Sequence, residues 1–308
     1  MGPLQLRSGP LRVLAMAALL VAGSVLVTEV GRVAGLPIVE AEPEAFVVGL
    51  GDVGPGDEEE QAPAETANRL QPNILRDPPG YTRIARPVLP ANEPRRIGIQ
   101  AGHWLAGQAP PELSVLVTQT GTSWAGVYEW EINLDIAQRV ASILRPQGYV
   151  VDVLPTTIPR GYLADAFVSL HGDGDGTGAK SGYKLAHGSR RGPYEDALMR
   201  AIIDAYGPAT GLAYDQAGVS RNMLNYYAFN WRRYQHSAAP HTPAVIVEMG
   251  FVSNANDRHL MTARADLVAQ AIADGILAFL EAHPRETIFG QDLLIPPFRR
   301  GTPAPSVP

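Results

Sequence analysis

Pro243-Ala-Val-Ile-Val-Glu-Met-Gly250 is the most apolar of the strand-like runs in this sequence, and Glu248 is its one charge. Ala244 to Val247 show no polar alternation, so both faces of such a strand must be covered, as in an internal strand of a parallel sheet. Three further runs precede it in the chain. Asp165-Ala-Phe-Val-Ser-Leu-His171 ends on a histidine before a Gly/Asp loop, Tyr149-Val-Val-Asp-Val-Leu154 stops at Pro155, and Arg96-Ile-Gly-Ile-Gln100 feeds the turn Ala101-Gly-His103. Helical spacing fills the intervals. Glu129–Leu144 sets Ile132, Ile136, Val140, Ile143 and Leu144 on one face, Tyr194–Tyr206 is similar, and Ala265–Ala282 aligns Leu267, Ala271, Ile272, Ile276 and Phe279. Strands alternating with helices predict a single α/β domain with a largely parallel sheet covered by helices on both faces. Such sheets carry their sites at the carboxyl ends of the strands.

Composition narrows the chemistry. The 308 residues contain no cysteine, which excludes disulfide scaffolds, thiol catalysis and thiolate-bound metals. Any metal must sit on His, Asp or Glu. The net charge is −6, but the stretch from Glu40 to Glu65 alone holds nine acids and neither Lys nor Arg. Elsewhere acids and bases nearly balance, so no strong field marks a nucleic-acid partner.

Arg7 and Arg12 precede Val13–Thr28, sixteen residues without a charge. That is the layout of an export signal, and the expectation is a signal peptide or membrane anchor over 1–41. Residues 42–94 are acidic or Pro/Gly-rich and read as a linker or an arm draped on the next domain. Residues 284–308 read as a Pro-rich tail. The catalytic domain is expected at 95–283, and the protein is expected outside the cytoplasm, either secreted or held at the cytoplasmic membrane.

Polar groups cluster where the sheet should place its site. His103 follows the first strand, His171 closes the third, and Glu129 opens the long helix. Each has a plain alternative: a loop histidine, or a carboxylate that complements the helix dipole. Glu248 is harder to explain so, because a carboxylate in an apolar strand is costly to bury without a partner. Two imidazoles and one carboxylate with an open fourth position make a catalytic-zinc set, and the remaining carboxylate can handle protons. Glu131 competes with Glu129 for the ligand position. The other histidines, 187, 236, 241, 259 and 283, read as surface residues, with His241 a candidate to support the site. Arg221, Asn222, Asn225, Tyr226, Tyr227, Trp231, Arg232 and Arg233 combine aromatic faces with forked donors that suit sugars and carboxylates, or else form a solvated, partly packed helix.

Four blocks resemble one family in its own order. GIQAGHW at 98–104, GVYEWEINLDIAQRV at 126–140, FVSLHGD at 167–173 and PAVIVEMGFVSNANDRHLM at 243–261 are similar to the zinc-dependent N-acetylmuramoyl-L-alanine amidases of the amidase-3 family. The resemblance implies one zinc ion on His103, Glu129 and His171, with Glu248 as the catalytic glutamate. It also implies peptidoglycan as substrate, cut between N-acetylmuramic acid and L-alanine. The sequence departs from the family where Trp104 and Trp130 replace the usual Gly and Lys. A wall-binding homologue without turnover, and a zinc peptidase or deacetylase acting on wall fragments, are the rival readings.

Overall fold

The computed structural model describes residues 77–90, 92–189 and 192–297. The expected export segment, the linker up to residue 76 and the tail beyond 297 lie outside the described residues. In chain order the elements are β1 (Thr82–Ile84), β2 (Arg96–Ala101), β3 (Ser123–Trp124), β4 (Val127–Tyr128), α1 (Glu129–Leu144), β5 (Val150–Leu154), β6 (Ala166–Asp173) and β7 (Lys184–Ala186). There follow α2 (Glu195–Thr210), α3 (Arg221–Leu224), β8 (Ala244–Phe251), α4 (Ala255–Ala263), α5 (Ala265–Ala282), α6 (Arg285–Phe289) and β9 (Leu293–Ile295).

The fold is α/β, with a five-stranded sheet in the order β5-β2-β6-β8-β7. β5, β2, β6 and β8 run parallel, and β7 pairs antiparallel with β8. The apolar run around Val245 is thus an internal strand. The two faces of the sheet are covered differently. Ile97, Ile99, Ala101, Val168, Leu170, Val245 and Val247 pack against the apolar stripes of α1, α2 and α5 in the main core. Phe167 and Ala244 face the other way, under short helical turns and loops that bring Leu113, Ile158, Tyr162 and Tyr227 onto the sheet. Ile246 and Ala186 on the same side meet Met223 of α3. Long helices fit one face because their stripes recur every three to four residues. The other face is closed by segments whose few large side chains fill it without such a repeat.

The core does not stop at residue 283. Ile288 and Phe289 of α6 join the main core, and Leu293 and Ile295 of β9 are buried. β9 pairs antiparallel with β1, with Thr82 opposite Ile295. Asp165 fastens this return: its buried carboxylate accepts from Arg95 Nε at 3.0 Å, Arg285 Nη2 at 2.7 Å and the Arg96 amide at 2.8 Å. A buried carboxylate is tolerated when charge-assisted donors surround it.

Candidate active site

β2, β6 and β8 end together on one edge of the sheet, and α1 begins beside them. His103 leaves β2 through Gly102 and adopts a left-handed backbone, φ +64°, a conformation a non-glycine residue holds only when its surroundings fix it. Gly102 itself is pressed against the His171 ring, where a Cβ would overlap the imidazole. Gly121 combines φ +80° with a position whose Cβ would lie 2.7 Å from Glu129 Oε2. Both glycines let backbone approach the site where a side chain would block it.

His103, Glu129 and His171 each bring one ligand atom to within 4.8 Å of the others. Glu129 Oε1 lies 3.3 Å from His103 Nε2 and 3.1 Å from His171 Nδ1. The same carboxylate accepts from the Gly172 amide at 3.2 Å and Asn133 Nδ2 at 3.3 Å, while Oε2 takes the Thr122 amide at 2.8 Å. Glu129 is buried and Glu131 is exposed, so only the former reaches the cluster.

The donor set fits a cation. His103 Nδ1 stands 2.7 Å from the Gln119 carbonyl oxygen, an acceptor only, so Nδ1 carries the proton. In the neutral ring the lone pair of Nε2 then faces the carboxylate. Two groups of acceptor character meeting at that distance call for a proton or a metal between them, and a histidine oriented by a backbone carbonyl is the usual form of a metal-binding imidazole.

The charges respond accordingly. Burial opposes a charge on His103, but the hydrogen bond and charge of Glu129 outweigh it, so its pKa is raised. Burial dominates at His171, which is lowered despite the same carboxylate. Burial also opposes ionisation of Glu129, yet the two imidazoles hold it well below the ordinary carboxyl range.

Glu248 stands beside this cluster and outside it. In β8 it lies directly opposite His171 of β6, and Lys184 of β7 lies opposite it on the other side. Its Oε2 is buried with no hydrogen-bond partner. Burial, and then the charges of Glu129 and Asp173, push its pKa well above the usual value, with Lys184 offsetting part of that. Lys184 is buried, pairs with Asp173 and lies 4.8 Å from the centre of the Phe251 ring. A carboxyl whose pKa is raised, beside one that stays ionised, is the environment of a proton carrier.

Residues 97–278 match the family model for Amidase_3, N-acetylmuramoyl-L-alanine amidase. The chain belongs to the Amidase_3 family. The resemblance carried by the four sequence blocks is therefore borne out. Among curated proteins, the chain is 26% identical over 176 residues to the N-acetylmuramoyl-L-alanine amidase LytC of Bacillus subtilis (strain 168). That match covers 52% of this chain and 33% of LytC, so the chain spans about one third of that relative's length. Among solved structures, it is similar to the catalytic domain of CwlV, an amidase from Bacillus (Paenibacillus) polymyxa var. colistinus. There the identity is 24%, the coverage 61% of this chain and 98% of that one, and the TM-score 0.40. It is also similar to Ami1 of Mycobacterium smegmatis, at 20% identity, 61% and 98% coverage and a TM-score of 0.46.

Within this Amidase_3 domain, several expectations need correction. His187 and His241 are buried, not surface residues. His241 precedes β8, and burial lowers its pKa while the Gln291 backbone and Asp292, neither of them a site residue, oppose that. The basic and aromatic segment divides. Arg221 and Asn222 are exposed, while Asn225, Asn230, Trp231 and Arg232 line a cavity of about 210 Å³ together with Tyr226 and Phe229. Tyr226 also extends its hydroxyl to within 3.3 Å of His171 Nε2. Asn133, one helical turn after Glu129, is the support most legible in sequence. Gln100, Lys184 and the Gln119 and Thr122 backbone groups escape a sequence reading, because no local pattern ties them to the histidines.

Proposed function

We propose that this chain hydrolyses the amide joining N-acetylmuramic acid to L-alanine in peptidoglycan, with zinc held by His103, Glu129 and His171 and with Glu248 as the proton carrier. The observation that carries the reading is the three-residue cluster with Glu248 directly beside it, one of whose carboxylate oxygens, Oε2, is buried without a partner. Membership of the Amidase_3 family supports the bond and substrate class. Zinc supplies Lewis acidity at such a site, making water more acidic and polarising an amide carbonyl.

This chain's own residues do the rest. Glu129, receiving donors on both oxygens, stays ionised and balances the positive charge of a bound cation. Gln119 holds His103 in one tautomer. Glu248 takes a proton from attacking water at its free oxygen and delivers it to the leaving amine nitrogen. Asp173 and Lys184 form an ion pair, and Lys184, paired opposite Glu248 in the sheet, offsets part of the rise in the Glu248 pKa.

Residues 1–41 deliver the protein across the cytoplasmic membrane as a signal peptide or anchor, and the segment after them tethers a catalytic domain whose fold takes in β1 on one side of 95–283 and α6 and β9 on the other. Among the described residues, no helix is long and apolar enough to cross a membrane. The deciding experiment is digestion of purified sacculi with and without chelator. Chelator-sensitive release of peptides with a free N-terminal L-alanine supports the reading. Deacetylated glycan, internal peptide cleavage or binding without turnover would each replace it.

A further inference from the structure

Beyond the residues of the cluster lies a chain of hydrogen bonds whose directions can be read off one at a time. Gln100, on β2 and fully buried, points its amide Nε2 at the Thr156 carbonyl at 2.7 Å and the Pro155 carbonyl at 3.2 Å. Carbonyl oxygens only accept, so the nitrogen must be on that side and Oε1 on the other. Oε1 in turn lies 2.9 Å from the Tyr226 hydroxyl. An amide oxygen only accepts, so Tyr226 donates its single proton there. Its oxygen is left with lone pairs alone, and it takes Ser169 Oγ at 3.3 Å and His171 Nε2 at 3.3 Å. His171 must therefore donate from Nε2. In the neutral ring its Nδ1, 3.1 Å from Glu129 Oε1, is then the unprotonated nitrogen that faces the cluster.

We propose that Tyr226 is a positioning residue that, through Gln100 and the Thr156 carbonyl, holds His171 in the tautomer whose free nitrogen points at the metal site. The inference rests on the zinc reading above and deepens it. Packing fixes the Tyr226 ring in place, edge-on to His171 at 5.5 Å and against Tyr227 at 4.9 Å and Phe229 at 5.6 Å. The opposite tautomer, with Nδ1–H donating to Glu129, would require Tyr226 to turn its proton toward His171. Gln100 Oε1 would then lose its donor in a fully buried position, which is unfavourable. His103 is held the same way by a backbone carbonyl directly.

The neighbouring tyrosine supplies the control. The Tyr227 hydroxyl joins the same network, bonded to Gln100 Nε2 at 2.7 Å and to the Thr156 carbonyl, but has no contact with His171. Zinc affinity of the full chain is measured by competition with a chromophoric chelator for wild type, Tyr226→Phe and Tyr227→Phe. The His171 ring is followed by 15N NMR in the metal-free proteins. Loss of a support to a metal-binding histidine typically weakens metal binding by ~10–100-fold, and that is expected for Tyr226→Phe alone. The same variant should show a larger share of the Nδ1–H tautomer than wild type, whereas Tyr227→Phe should match wild type in both readouts. Unchanged affinity and tautomer in Tyr226→Phe would overturn the proposal. Equal losses in both variants would overturn it too, by showing general loosening of the network. If wild type itself takes up no zinc, the metal reading fails, and the tautomer comparison in metal-free protein still decides the role of Tyr226.

Discussion

Replacing Glu248 with Gln separates binding from chemistry at this site. The substitution keeps the shape of the side chain and removes its charge and its ability to accept a proton. His103, Glu129 and His171 are untouched, and Glu248 is not among the three converging ligand atoms, so zinc occupancy should stay near wild type. Turnover should fall by ~10²–10⁴-fold, the usual worth of a positioned acid–base group. Stability should move the other way. Burial raises the Glu248 pKa above its ordinary 4.5, so its effect on folding depends on pH. Below 4.5 the carboxyl is neutral in both folded and unfolded chains. As pH rises past that value the unfolded chain ionises first, and the metal-free protein loses stability until the folded pKa is reached. Gln does not titrate, so the variant should match wild type near about pH 4 and become more stable toward neutrality. The gain is limited because the new amide is also left without partners, a cost of ~1–3 kcal/mol for a buried polar group. A net gain of about 1 kcal/mol corresponds to ~2–4 °C in melting temperature for a domain of this size. Zinc content, melting curves of chelated protein from about pH 4 to 8, and release of L-alanine-terminated peptide form the assay. Full zinc with near wild-type turnover would refute the proton-carrier role. Loss of zinc and stability together would make Glu248 a structural or metal-holding residue.

Other substitutions test the remaining parts. His171→Ala should abolish stoichiometric zinc, read by metal analysis of the purified protein, while retaining its far-UV circular dichroism. Gly102→Ala should drive a Cβ into the His171 ring and so lower zinc affinity and melting temperature together, at a cost of ~1–3 kcal/mol for overpacking. Metal-free protein should lose stability as pH falls below about 4.5, because Glu129, held well below that value when folded, must be protonated. Glu129→Gln should flatten that part of the pH–stability curve.

Local pattern was enough for much of this protein. An unbroken apolar run around Val245, the four-residue spacing of Ile132, Ile136 and Val140, and a histidine or carboxylate at the end of each of several strands gave the class of fold. They also gave the residues that meet in the site, since side-chain period and strand ends are set by neighbouring residues. α1 and α5 occupy the stretches their spacing marks. β7 escaped notice because three residues are too few to show a period, and α4 because only its Asn254 cap announces it. Tertiary structure alone decided the order of the strands, the pairing of β1 with β9 and the contact of Lys184 with Asp173. It also decided that Tyr226, 55 residues after His171, turns its hydroxyl onto that ring. The physical reason is that these depend on which distant surfaces become buried together. A hydrophobic period says that a face will be covered, but the covering segment is chosen by packing and by the need of each buried polar atom for a partner.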